Sequence, residues 1–282
     1  MKRLRIRHVT GFAYDGDVTA SYNEARMLPL SLDGQLVISS GLEIAPVGAH
    51  HDYVDYWGTR VTSFEVLTPH RELSITATSV VEVRPRSTAP GEVDWATLRR
   101  RCAESTSTVE QLAQTRLTAP PAELAALAER IAAYHRDPSD AALAVCTAVG
   151  EALEYVSGVT SVHSSGADAW AQRKGVCQDI AHVALGALRA VGIPARYASG
   201  YLHPVAEAEI GATVAGESHA WVEWFTGSGW QGFDPTNGIG IGDRHVCVGR
   251  GRDYDDVPPL RGVYAGSVAS SLFVGVEITR EA

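Results

Sequence analysis

Long runs of one kind are missing from this sequence, and each absence closes off a class of protein. No segment approaches the ~20 apolar residues of a membrane span. The opening MKRLRIRHVT alternates Leu4, Ile6 and His8 with polar residues instead of holding the continuous apolar stretch of a signal peptide. A cytoplasmic location without membrane contact is therefore expected. No lysine or arginine run offers a phosphate-binding face, and the formal net charge of -9 argues against nucleic acid as a partner. Cysteine is sparse. Cys102, Cys146, Cys177 and Cys247 form no CxxC pair, and no histidine cluster has zinc-ligand spacing, so neither a disulfide framework nor a structural zinc site is expected. Internal repeats and low-complexity tracts are lacking too.

What is present is an ordinary globular composition, 45% hydrophobic and 20% charged over 282 residues, enough for two compact units. Residues 1–86 read as short strands between turn signals, among them Leu4 to Thr10, Leu36 to Ile44 and Leu73 to Val83, where apolar and polar positions alternate. RPRSTAPGEV carries no apolar periodicity and reads as a linker, set at 87–94. Helical stretches follow at about Ala122 to Tyr134 and Asp140 to Glu154, the second introduced by Asp137, Pro138 and Ser139. Past Gly175, Ile180, Val183, Ala184, Ala187, Leu188 and Val191 mark a buried helix that Gly192 and Pro194 close. Strands are expected at Ala195 to Leu202, His219 to Thr226, Trp230 to Phe233 and Ser271 to Thr279. Helices ahead of a mostly antiparallel strand set give an α+β class, with a β-domain at 1–86 and a second unit at 95–282 whose last strand could return to the first.

Cys177 falls in the first turn of the buried helix. There, unpaired backbone N–H groups and the helix dipole favour a thiolate and can receive the oxyanion formed when it attacks a carbonyl. Alone, it reads more readily as a core cysteine. A thiolate nucleophile needs an imidazole and a group to orient it, and ESHAWVEWFTGSGWQGFDPTNG supplies both on one hairpin. If the turn centres on Gly227 and Ser228, Asp234 lies opposite Trp221, on the face that Trp221 shares with His219. Asp234 is then a diagonal neighbour of His219 with Cα atoms roughly 7–8 Å apart, and a one-residue slip would destroy the arrangement. Taken singly, His219 could be a strand-end polar residue and Asp234 a turn opener before Pro235.

GVCQDIAHVALGALRAVGIPARYASGYL, SHAWVEW and GWQGFDPTNG, in that order, resemble the bacterial transglutaminase-like family, a branch of the papain-like cysteine enzymes. SYNEARMLPL and DYWGTR resemble the β-domain that often precedes that core, and GRGRDYDDVPPLRGVYAG extends the likeness towards the end. The resemblance implies a β-sandwich-like N-terminal domain before a core of helices packed on an antiparallel sheet. It also implies Cys177 as nucleophile, His219 as general base and acid, and Asp234 as orienting carboxylate. Tyr155 stands roughly where animal transglutaminases carry a tryptophan that assists the oxyanion, though a packed core tyrosine fits as well. Gln178 and Asp179 are expected to line the site.

Cys102, Cys146 and Cys247 are assigned to packing, His182 to a local pair with Asp179, and Trp221, Trp224 and Trp230 to core or cleft walls. Asp253, Asp255 and Asp256 lack calcium-loop spacing, so neither metal nor cofactor is expected. The expected activity acts on a peptide or protein amide through a thioester, passed to water or to an amine. A catalytically silent scaffold that binds a peptide or protein is the alternative. Substrate, acceptor and oligomeric state stay open.

Overall fold

The computed structural model describes residues 1–85 and 93–282; most of the expected linker at 87–94 lies outside these. Along the chain run β1 (Lys2–Val18), β2 (Ala20–Ala25), β3 (Gln35–Ala45), β4 (Ala49–Val54), β5 (Arg60–Val66) and β6 (His70–Val83). Then come α1 (Trp95–Ala103), α2 (Thr106–Glu110), α3 (Ala122–Ala132), α4 (Pro138–Ala152), β7 (Glu154–Tyr155), α5 (Gly166–Gln172), β8 (Lys174–Gly175) and α6 (Cys177–Ala190). The remainder is β9 (Ala195–Leu202), β10 (Thr213–Gly216), β11 (Ser218–Phe225), β12 (Trp230–Asp234), β13 (Ile239–Gly240), β14 (His245–Gly251), β15 (Leu260–Ala265) and β16 (Ser270–Arg280). The class is α+β, as expected. Strand pairing is antiparallel except in the short β7–β8 ladder. No helix among the described residues is long and apolar enough to cross a membrane.

Strand β1 shows why the first half becomes sheet. Leu4, Ile6, His8 and Thr10 are buried while Arg3, Arg5 and Arg7 face solvent, the period-2 pattern of a strand with one covered face. The outward arginines meet Glu82 of β6, Glu277 of β16 and Glu281 just past the end of β16. A Cβ on Gly11 would lie 1.9 Å from the Leu73 carbonyl oxygen, so only glycine lets β1 and β6 approach here. Two sheets, ordered β10-β16-β1-β6-β3 and β15-β2-β5-β4, enclose Tyr14, Val18, Met27, Phe64, Val66, Leu73 and Ile75. This is the sandwich-like arrangement the resemblance implies.

The second half packs its helices on the sheet β13-β12-β11-β9-β14. Helix α6 is buried almost throughout, and Ile180, Val183, Ala184, Ala187 and Leu188 join Val222 and Trp224 of the sheet in one core. Pro138 opens α4, and Asp137 caps it by accepting from the Ser139 N–H at 2.7 Å.

The expected separation at residue 95 understates how far the later chain returns. Strand β16 pairs with β1 along Leu4 to Tyr14, β10 pairs with β16, and β15 pairs with β2. Both N-terminal sheets are thus completed by strands from beyond residue 210. An apolar seam of Leu4, Ile6, Val81, Val83, Tyr201, Val246, Val248, Val276 and Ile278 joins them to β9 and β14. Period-2 patterning identified β16 but carried no information on which distant strand it would join.

If this seam couples the two halves, Ile278→Ala, which empties a site that is 1% exposed, lowers stability by about 2–5 kcal/mol. Urea unfolding followed by circular dichroism and by tryptophan fluorescence should still give one coincident transition. Separated transitions would show that the halves fold independently.

Candidate active site

Cys177 begins α6, and its ladder opens with the bond from Ile180 N–H to the Val176 carbonyl at 3.1 Å. The N–H groups of Cys177, Gln178 and Asp179 therefore precede the intrahelical ladder. The approach to the helix is built by close packing. A Cβ on Gly175 would come 2.7 Å from Cβ of Asp179 and 2.8 Å from its Oδ2, so glycine is a steric requirement at this position. Asp179 Oδ2 accepts from the Val176 N–H at 2.8 Å and from the Thr160 hydroxyl at 2.6 Å. Asp179 is fully buried, and burial pushes its pKa up despite the lowering effect of those two bonds. It caps the helix that carries the thiol and does not line the cleft, which corrects the expectation.

The β11–β12 hairpin has the required register. Val222 pairs with Phe233 and Glu223 with Gly232 around the turn Thr226–Gly229, where Gly227 adopts φ 89°. That parity places Asp234 beside His219, and His219 Nε2 donates to Asp234 Oδ2 at 2.7 Å. The Cys177 side chain is a further hydrogen-bonding neighbour of His219, and Asn237 Nδ2 lies 3.4 Å from Nε2. With Nε2 engaged by the carboxylate, Nδ1 is the nitrogen left for the sulfur.

Asp234 has no solvent exposure. Burial opposes its charge, yet bonds from His219, His245 and Asn237 outweigh that cost and hold its pKa well below the usual carboxylate range. Oδ1 accepts from the Thr236 and Asn237 N–H groups at 3.0 and 3.2 Å, and Asn237 Nδ2 donates to Oδ2 at 2.7 Å. Burial likewise opposes the His219 imidazolium, but the Asp234 and Cys177 side chains together raise its pKa to about 10.

His245 carries no role in the sequence reading, yet it stands against the carboxylate. Its ring is buried edge-on to Trp221, with centroids 5.4 Å apart. Its Nδ1 accepts from the Gly242 N–H at 3.3 Å, which leaves Nε2 as the protonated nitrogen, 3.5 Å from Asp234 Oδ2. Burial lowers its pKa, partly offset by Asp234. Asn237 was legible as the third residue after a turn-forming Asp.

Donor atoms of His219, Asp234 and His245 lie within 4.8 Å of one another. Zinc bonds of about 2.0–2.1 Å in a tetrahedron would hold two ligand atoms about 3.3 Å apart. At 2.7 Å the His219–Asp234 contact is a hydrogen bond with no room for an ion between its atoms.

His219 stands between two adjoining lobes of an open cleft. One, about 470 Å³, is lined by Cys177, Gln178, Tyr197, Tyr254 and Val274; the other, about 570 Å³, by Leu202, Asn237, Ile239 and Arg244. Tyr155, Gly216 and Glu217 line both. Val274 and Gly216 belong to β16 and β10, so the N-terminal sheet supplies the wall facing the thiol. Tyr155 is 45% exposed, not a core tyrosine. Its hydroxyl donates to Glu217 Oε2 at 3.3 Å, and its pKa rises to about 12 through burial and the charges of Cys177 and Glu217. Gln178 Nε2 donates to the Val162 carbonyl at 3.3 Å.

Cys102, Cys146 and Cys247 are buried, and burial raises the thiol pKa of Cys102 and Cys146. The expected His182–Asp179 pair is replaced: His182 Nε2 accepts from the Tyr254 N–H at 3.2 Å. Trp221 and Trp224 are core residues, and Trp230 stacks under the Arg196 guanidinium. The Asp253–Asp256 cluster is divided among different partners. Asp253 accepts from the Asp255 N–H, Asp256 pairs with Arg252 and Asp255 with Arg116.

Comparison with known proteins gives a consistent family. Residues 4–82 match the bacterial transglutaminase-like N-terminal region, and residues 125–235 match the transglutaminase-like superfamily. An uncharacterized protein of Mycobacterium leprae is 45% identical over 280 residues, covering 99% of each chain. An uncharacterized protein of Mycobacterium tuberculosis is 32% identical over 296 residues, covering 98% of this chain and 92% of its own. The crystal structure of a candidate cysteine protease from Cytophaga hutchinsonii superposes with a TM-score of 0.79 at 21% identity, over 100% of this chain and 91% of that one, a likeness of fold.

The raised His219 pKa has a signed consequence. Relative to an unfolded value of about 6.5, the stability held by the imidazolium is complete below about pH 6.5 and is lost as pH rises through about 10. The Cε1 proton resonance of His219 should titrate near pH 10 in the native protein and lower in Cys177→Ala, which removes one of the two groups that raise it. Titration at the ordinary histidine value in the native protein would contradict the assigned network.

Proposed function

The chain belongs to the transglutaminase-like superfamily, and we propose that it is a cysteine-dependent enzyme that cleaves a peptide or isopeptide amide through a thioester on Cys177. The observation that supports this best is the chain of contacts from a fully buried carboxylate through His219 to a thiol at the edge of an open cleft.

In this reading the Cys177 thiolate attacks the amide carbonyl carbon, and the C–S bond forms as the carbonyl oxygen becomes an oxyanion. N–H groups of the first turn of α6 receive that charge. The His219 imidazolium gives its Nδ1 proton to the amide nitrogen, the C–N bond breaks and the amine departs. His219, now neutral, takes a proton from water as the water oxygen bonds to the acyl carbon and the C–S bond breaks, which yields a carboxylic acid and restores the thiolate beside the imidazolium. Asp234 keeps Nε2–H fixed throughout, so that Nδ1 alone exchanges protons. Hydrolysis is preferred to transfer because both lobes are open, and transfer requires a site that excludes water.

Brief iodoacetamide treatment at neutral pH should label Cys177 ahead of Cys102, Cys146 and Cys247, as read by mass mapping. On a panel of glutamine-containing and general peptides, Cys177→Ala should abolish turnover. Asp234→Asn should lower it by about 10²–10⁴-fold with an unchanged circular dichroism spectrum. Incorporation of a labelled amine that outcompetes hydrolysis at millimolar amine would identify a transglutaminase. An inert Cys177 and no turnover would favour a binding scaffold.

A further inference from the structure

Within the cleft, one charged group has no role in the thioester chemistry. Arg244 precedes β14 and lines the lobe on the far side of His219 from Cys177. Its Nη1 donates to the His203 and Pro204 carbonyls, both at 3.3 Å. Neither its Nε nor its Nη2 has a hydrogen-bond partner among the described residues. The adjacent carboxylate, Asp243, is committed elsewhere, 3.4 Å from Lys2 Nζ and 3.7 Å from the Met1 amine. Two backbone carbonyls thus steady the guanidinium while its Nε/Nη2 edge, the fork that matches a carboxylate, is left open.

Resting on the thioester reading, the order of chemical events fixes what this lobe holds. The acyl group is attached to the sulfur, so it occupies the lobe that Cys177 lines. The leaving nitrogen takes its proton from His219, so whatever is attached to that nitrogen extends into the lobe that His219 and Arg244 share. We infer that Arg244 is a specificity residue for a carboxylate on the amine side of the scissile amide, so that the substrate class is a peptide or isopeptide whose leaving portion is a free acid.

Glu217 is compatible with this polarity. It lines both lobes and so stands at their junction, where the departing amine acquires its positive charge. The released product, with an ammonium at one end and a carboxylate at the other, meets Glu217 and Arg244 in the matching order. The acyl lobe, walled by Tyr155, Tyr197, Tyr254, Pro259 and Val274, has no arginine or lysine among its described lining residues.

The test uses N-acetyl peptides with leaving portions of one, two or three alanines, each made as the C-terminal acid and as the amide. Hydrolysis is read by mass spectrometry, and binding by protection of Cys177 from iodoacetamide. For at least one length the native protein should favour the acid by tenfold or more in kcat/KM or in protection. Arg244→Met should remove that preference by weakening the acid at least tenfold more than the amide, with Cys177 alkylation in the absence of peptide retained. Equal handling of acid and amide by the native protein, or equal losses on both in the variant, overturns the assignment while leaving the thioester chemistry intact. A Cys177 that resists alkylation and supports no turnover removes that chemistry itself.

Discussion

The His219–Asp234 hydrogen bond is the contact on which the arrangement of the site depends. It is made in a place where neither partner could keep its charge alone. Asp234 is sealed from water and His219 is nearly so, and each justifies the other's ionised form against a desolvation cost that would otherwise neutralise both. The Asn237 amide, the two turn N–H groups and the His245 ring surround the carboxylate, so that it has few ways to turn. The His219 ring is thereby held in one orientation, with Nε2 directed at the carboxylate.

That bond is local in sequence, but the cleft it serves is not. The thiol comes from a helix, the imidazole from the hairpin, and the opposite wall from β10 and β16, which complete a sheet begun by β1. The β-sandwich is therefore more than an appendage, because its edge forms one side of the groove. The Leu4–Ile6–Tyr201–Ile278 seam is what keeps that edge at a fixed distance from the sulfur.

How much of this could be read from the chain follows from which contacts are short-range. Helix α6 was legible because its buried face repeats at helical spacing, and the Asp234 position because Gly227 and Ser228 fix hairpin parity. Asn237 and the Asp179 cap lie within three residues of what they bind, and standard turn and capping rules would have found both. His245 and Arg244 escaped because β14 joins β9 across more than forty residues, and no periodicity announces that pairing. The exposure of Tyr155 was equally hidden, since it depends on the gap left between β7 and the N-terminal sheet. Position in sequence correctly grouped Gln178 with the cleft and wrongly grouped Asp179, because neighbouring residues on a helix point about 100° apart.

The return of β16 also bears on when the protein acquires its groove. Synthesis proceeds from the N-terminus, so Cys177, His219 and Asp234 all leave the ribosome before residues 270–280 exist. Until those residues dock beside β1, one wall of the groove is missing and β1 has an unpaired edge. A half-made chain thus carries its thiol and imidazole without the wall that faces them. The order of strands in the sheet delays assembly of the groove until nearly all of this sequence has been made.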